Sequence, residues 1–132
     1  MTVVADTRLL IVHAFPVDED ERARIGELMR HSLRERLIIP AVVVTEFFKT
    51  AGKEIGKQGA STQISLLKEH GGVISDIDEG IALLAGELLL KDNKRSIGDS
   101  LIAATALHLH ASHVVSDDPH FLEFGLKTKW MA

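Results

Sequence analysis

Four short apolar runs dominate the chain: Thr2-Val3-Val4-Ala5, Leu37-Ile38-Ile39, Val73-Ile74-Ser75-Asp76, and Val114-Val115 within Ser112–Ser116. Each is β-branched or aliphatic, too short for a helix, and ends abruptly at an acid, a proline or a serine, so each reads as a buried strand. Stretches of helical length separate them. Strands that are apolar on both faces and alternate with helices belong to parallel sheets built from βα units. The pattern predicts a three-layer α/β/α domain around a central, mainly parallel sheet of four to five strands.

The intervening segments carry their own start and stop signals. A helical stretch over Leu9–Phe15 follows the first strand. Asp18 opens an amphipathic helix with Ile25, Leu28, Met29 and Leu33 on one face and Arg22, Arg30 and Arg34 outside. Pro40 leads into a helix over Ala41–Lys53, Gly56 and Gly59 break it, and Ser61 starts another that Gly71-Gly72 ends. Asp78 caps a helix over Glu79–Lys91 and Ser96 caps one over Ile97–His110. Asp118-Pro119 begins a helical turn, and Leu126–Trp130 forms a last edge strand. With 132 residues, no linker and no repeat, residues 1–132 read as a single domain. The absence of cysteine excludes disulfide frameworks, thiolate zinc sites and cysteine nucleophiles. Met1–Asp6 lacks a signal-peptide pattern, and Ile81–Leu90 is cut by Glu87 and shorter than the roughly 20 residues of a membrane span. A soluble, cytoplasmic protein is expected.

In parallel α/β sheets, ligands bind beyond the carboxyl ends of the strands. Asp6 follows the first strand and Asp117-Asp118 follow the fourth. Asp99 lies in the first turn of the helix after Ser96, and Glu46 lies about two turns into the helix after the second strand. Four carboxylates brought to one edge would repel one another and raise each other's pKa unless a cation neutralised them. Oxygen-only donors suit Mg²⁺ or Mn²⁺ rather than zinc. Such ions activate water and offset the charge that develops in phosphoryl transfer. The aspartates also have a purely structural reading, because Asp6, Asp99 and Asp118 all sit where helix capping or the helix dipole favours an acid. Glu46 stands among Val42, Val43, Val44, Phe47 and Phe48. It faces a cleft, a cation or a basic partner, or else lies on a solvated helix face.

Other chemistries are poorly supported. His108 and His110, two apart on a helix, would point about 200° from each other, and the remaining histidines are scattered; His120, beside Asp118, has at most a minor role. No phosphate-cradling glycine loop, Gly-x-Ser-x-Gly elbow or paired acids of a receiver domain are present.

The order Val4-Ala5-Asp6-Thr7, Thr45-Glu46-Phe47, Gly98-Asp99-Ser100-Leu101-Ile102-Ala103-Ala104-Thr105-Ala106-Leu107 and Val115-Ser116-Asp117-Asp118-Pro119-His120-Phe121 resembles the PIN-domain nucleases. The resemblance covers essentially the whole chain and is nearest to the VapC-type toxins of toxin–antitoxin pairs. It implies a metal-dependent endoribonuclease acting on single-stranded or loop RNA and leaving a 5′-phosphate and a 3′-hydroxyl. One or two Mg²⁺ or Mn²⁺ ions would sit among Asp6, Glu46, Asp99 and Asp118, with the Ser116 hydroxyl arranging the site. It also implies a cognate antitoxin that covers the acids, and a homodimer. Two positions depart from the family pattern: Arg8 replaces a Ser or Asn, and Asp117 adds an acid. The Asp-Pro-His-Phe spacing favours Asp118 as the last ligand, leaving Asp117 to contribute charge or a water-mediated contact. The alternative function is a non-catalytic module of the same fold that binds RNA or protein.

A net charge of −4 argues against nucleic acid only until the acids are located, since a cation-neutralised acid cluster itself engages phosphate. Lys94 and Arg95, with Lys91, precede Ser96 and are candidate phosphate contacts; Lys49 and Lys53 follow Glu46. Phe47, Phe48 and the helix over Glu79–Lys91 provide either contact surface or core.

Overall fold

A computed structural model describes residues 1–131. The elements are β1 (Thr2–Ala5), α1 (Thr7–Ala14), α2 (Glu19–Arg34), β2 (Arg36–Pro40), α3 (Ala41–Glu69), β3 (Val73–Ser75), α4 (Glu79–Lys91), α5 (Ile97–His108), β4 (His113–Val115), a 3-10 turn (Pro119–Phe124) and β5 (Thr128–Lys129). The sheet has five strands in the order β3-β2-β1-β4-β5, and every pairing is parallel. Val4 of β1 is aligned with Ile38 on one side and Val114 on the other. Val3, Val4, Leu37, Ile39, Val114 and Val115 are wholly buried, as uniformly apolar strands between helical layers must be. Each such side chain contributes roughly 1.5–3 kcal/mol on burial.

The helices complete the α/β/α layering. On α2, Ile25 and Met29 are buried, whereas Arg22, Arg30 and Arg34 are exposed. Asp18, Asp78 and Ser96 cap their helices as expected, each side chain accepting a backbone N–H three residues on. Small residues make α5 the central helix: Ala103, Ala104 and Ala106 are fully buried, and their size lets α5 pack against β1, β2 and β4 with α4 over it. Phe47 is core, 1% exposed, so the contact-surface reading does not apply to it. On α4, by contrast, Leu83 and Leu90 are exposed.

Several boundaries differ from expectation. The helix expected to stop near Lys53 continues: α3 runs to Glu69, with one non-helical residue, Gly56, at φ 78° and ψ 168°. The break is thus a kink at Gly56; Gly59 is helical, and the chain re-enters the helix before Ser61. Helix α5 ends at His108, and His110 adopts a positive φ of 52°, so the two histidines do not share a helix. The last strand is confined to Thr128–Lys129.

Gly56 occupies a region of backbone space essentially closed to side chains, at a cost on the order of 1–3 kcal/mol. Gly52, four residues earlier, has no atom within 4 Å of an added Cβ and no positive φ. Gly56→Ala should therefore lower thermal stability by several degrees, while Gly52→Ala should leave it unchanged or raise it by up to about 1 kcal/mol. Calorimetric melts of the two variants check this; equal effects would contradict the kink.

Candidate active site

The strand order places the site. From β1 the chain steps outward through β2 and β3, then returns to lay β4 on the other side of β1. The connections leaving β1 and β4 diverge, which opens a crevice at their carboxyl ends. Asp6 leaves β1 and Ser116-Asp117-Asp118 leave β4, so both groups flank that crevice; the Asp6 amide still bonds Val115 O at 3.3 Å.

One buried hydroxyl joins the two sides. Ser116 Oγ donates to Asp6 Oδ2 at 2.6 Å and accepts from the Asp118 amide at 3.0 Å. Thr7 N–H donates to Asp6 Oδ1 at 2.8 Å, so both carboxylate oxygens are fixed. Asp6 is 5% exposed, and burial pushes its carboxyl up to about 6. The Ser116 and Thr7 bonds oppose that rise, and the nearby charges of Asp99 and Asp118 add to it. Burial likewise raises Asp99; Ser96 opposes the rise, Asp118 adds to it and His120 opposes it. Asp6, Asp99 and Asp118 thus feel one another electrostatically, as convergence at one edge requires.

Glu46 joins through a partner the sequence did not single out. Thr7 Oγ1 donates to Glu46 Oε1 at 2.8 Å, linking the start of α1 to α3. The same carboxylate lies against the first turn of α5, where a Cβ on Gly98 would meet Glu46 Oε2 at 3.0 Å. The positive end of the α5 dipole favours an anion there, which explains an acid among valines and phenylalanines.

Asp118 and Asp117 part ways. Asp118 Oδ1 accepts from the His120 amide at 2.9 Å and lies 2.8 Å from His120 Nδ1, so both the backbone and the ring of His120 contact the acid beside it. Asp117 pairs with Arg8. Arg95 is only 16% exposed in its side chain: its guanidinium stacks 4.1 Å above the Phe124 ring and donates to Glu123 O at 3.5 Å. Lys94 is exposed, and both line a cleft of about 390 Å³ that also reaches Asp99 and His120.

The model of the PIN domain matches residues 3–126. The chain belongs to the PIN-domain family. No curated protein matches the sequence. Among solved structures, this PIN domain is similar to VapBC2 of Rickettsia felis, determined with a promoter DNA fragment, at TM-score 0.79 and 15% identity over 100% of both chains. It is also similar to VapC20 of Mycobacterium tuberculosis, a sarcin-ricin loop cleaving toxin, at TM-score 0.77 and 14% identity over 94% and 95% of the two chains. VapBC-1 of nontypeable Haemophilus influenzae gives TM-score 0.71 and 21% identity over 98% and 97%. At these identities the likeness is one of fold.

Among the described residues, no three acidic or histidine side chains are close enough to form a ready-made metal cage, and none of the helices is long and apolar enough to cross a membrane. Hydrogen bonds hold three of the four acids in place: Asp6 is held by Ser116 and Thr7, Glu46 by Thr7 through Oε1, and Asp118 by His120 through Oδ1. The donor chemistry still fits a hard divalent cation. It is carboxylate throughout, and its central member carries a charge that burial and two neighbouring acids disfavour.

A carboxyl whose folded-state pKa exceeds its unfolded value destabilises the fold when ionised. For Asp6, moved from 3.8 to about 6, that penalty is absent below about pH 4 and complete above about pH 6, reaching at most ~3 kcal/mol. In chelator, Asp6→Asn should therefore stabilise the PIN domain by about 1–3 kcal/mol at pH 8, with the gain shrinking towards zero near pH 4. Urea melts at the two pH values test this; a pH-independent difference would contradict it.

Proposed function

We propose that this PIN domain, acting as one unit over residues 1–132, is an endoribonuclease of the VapC toxin type. Asp6, Glu46, Asp99 and Asp118 form its catalytic acid set. The observation that carries this reading is the Ser116 hydroxyl bond between Asp6 and the Asp118 backbone at the sheet's switch point. A purely structural cap does not call for a second acid, still less for two mutually destabilising ones.

Mg²⁺ or Mn²⁺ held by these acids would supply a lowered pKa for water and compensation of the charge developing on phosphorus. The chain's own part is orientation. Ser116 and Thr7 hold Asp6 in a single pose where β1 passes into α1, Thr7 holds Glu46 on α3, and the start of α5 delivers Asp99, so two of the four acids sit on helices and a third is pinned by two hydrogen bonds. Hydrolysis adds water across the P–O3′ bond: a new P–O bond forms, P–O3′ breaks, and the products are a 5′-phosphate and a 3′-hydroxyl. RNA must approach past these acids, and Lys94, exposed beside the cleft that reaches Asp99, is positioned to contact a phosphate; Arg95 lends its charge from beneath, stacked on Phe124.

The similarity to VapBC toxin–antitoxin structures supports a cognate antitoxin as partner. The exposed Leu83 and Leu90 of α4 offer apolar surface to a second copy of the chain.

Purified protein incubated with a pool of single-stranded RNAs should generate 5′-phosphorylated fragments in Mg²⁺ or Mn²⁺, stop in chelator, and resume when the ion returns. Asp99→Asn and Asp118→Asn should each lose at least about a hundredfold in rate, equivalent to ~2.7 kcal/mol of barrier, with unchanged circular dichroism. Full cleavage in chelator, or by Asp99→Asn, would overturn the reading.

A further inference from the structure

The two positions that depart from the family pattern are joined in space. Arg8 Nη2 donates to Asp117 Oδ2 at 3.0 Å and Nε donates to Asp117 Oδ1 at 3.3 Å, a two-pronged contact between residues 109 apart in sequence. Arg8 lies two residues after Asp6, in the first turn of α1, and Asp117 immediately precedes Asp118. The pair therefore spans the crevice between β1 and β4.

Stability does not explain it. The side chains are 54% and 35% exposed, and ion pairs so open to water contribute about 0–1 kcal/mol. What the pair does accomplish is to fix a guanidinium plane at the edge of an acid cluster. Asp6 and Glu21 also act on Arg8 electrostatically and favour its charged form. Asp117 takes two of the five N–H groups that a guanidinium carries, and the others have no partner among the described residues. Phosphate oxygens are well matched to such a fork, which binds more than one at once. A fixed positive group at the mouth adds to the attraction that a cation among the acids and Lys94 would exert on an RNA backbone.

We propose that Arg8 is a substrate-contacting residue that grips an RNA phosphate at the mouth of the site, and that Asp117 is a positioning residue for Arg8, outside the metal-holding acid set. This rests on the RNA-directed reading above.

The test uses a fluorescent pool of random single-stranded 20-nucleotide RNAs, bound to the full chain in an Asp99→Asn background so that the RNA stays intact. Anisotropy is followed in Mg²⁺ across a range of salt. Arg8→Gln and Arg8→Ala should weaken binding about tenfold and reduce the slope of log K against log salt by about 0.7, the value for one phosphate contact on a single strand. Arg8→Lys should keep the slope. Asp117→Asn should keep the slope but lose affinity severalfold, and Asp117→Glu should restore it. Melting temperatures should change little across the set. An unchanged slope in both Arg8→Gln and Arg8→Ala would overturn the proposal, as would lost stability with unchanged binding, which marks a structural clamp. Cleavage of the pool by the unmutated chain is measured in parallel. Cleavage with an unchanged Arg8 slope refutes this inference alone, a slope change without cleavage refutes only the nuclease reading, and no RNA binding at all refutes both.

Discussion

The hydroxyl of Ser116, a residue only 1% exposed, holds the two halves of this site together. Ser116 Oγ spends its hydrogen on Asp6 and a lone pair on the Asp118 amide, so the carboxyl ends of β1 and β4 are set at one distance. The parallel register between those strands, Val4 opposite Val114 and Ala5 opposite Val115, brings the two ends level. Without that register Ser116 would miss Asp6. The sheet's hydrophobic pattern thus fixes the geometry of a polar cluster that contributes nothing to the core.

The same economy runs through the helix starts. Asp6 caps α1, Ser96 caps α5 in front of Asp99, and Asp118 caps the 3-10 turn. Capping and site-building are not alternatives here, because a cap orients its side chain at a helix N-terminus and these N-termini face the crevice. Capping does not account for the electrostatic tension. An N-cap carboxylate in water is stabilised by helix N–H groups, whereas Asp6 is driven towards its neutral form by burial and by two further acids. Such tension is common where a cation or a substrate completes the charge balance.

Much of this was legible in the sequence. Four apolar runs gave the parallel sheet, since only strands buried on both faces read that way, and the rule about carboxyl ends then pointed to Asp6 and Asp118. Ser116 stood out through the resemblance, and its hydrogen bonds supply the physical reason. Less visible were contacts between residues far apart whose partners carry no periodic signal. Thr7 entered only as part of the Val4-Ala5-Asp6-Thr7 run, and its bond to Glu46 depends on how α3 crosses α1. Arg8 and Asp117 each looked like an isolated departure, because a pair 109 residues apart becomes a pair only once β1 and β4 are neighbours. The kink in α3 was found at one of the two glycines that offered it: Gly56 and Gly59 look alike in sequence, and only the backbone of Gly56 turns.

The account turns on whether the buried Asp6 charge is completed by a cation shared with the neighbouring acids. Titrating the Asp6 carboxyl by carbon NMR, in chelator and then in saturating Mg²⁺, tests this most directly. In chelator the carboxyl should titrate near 6, and Mg²⁺ should bring it down to or below the ordinary carboxylate range. A titration that Mg²⁺ leaves in place would contradict it.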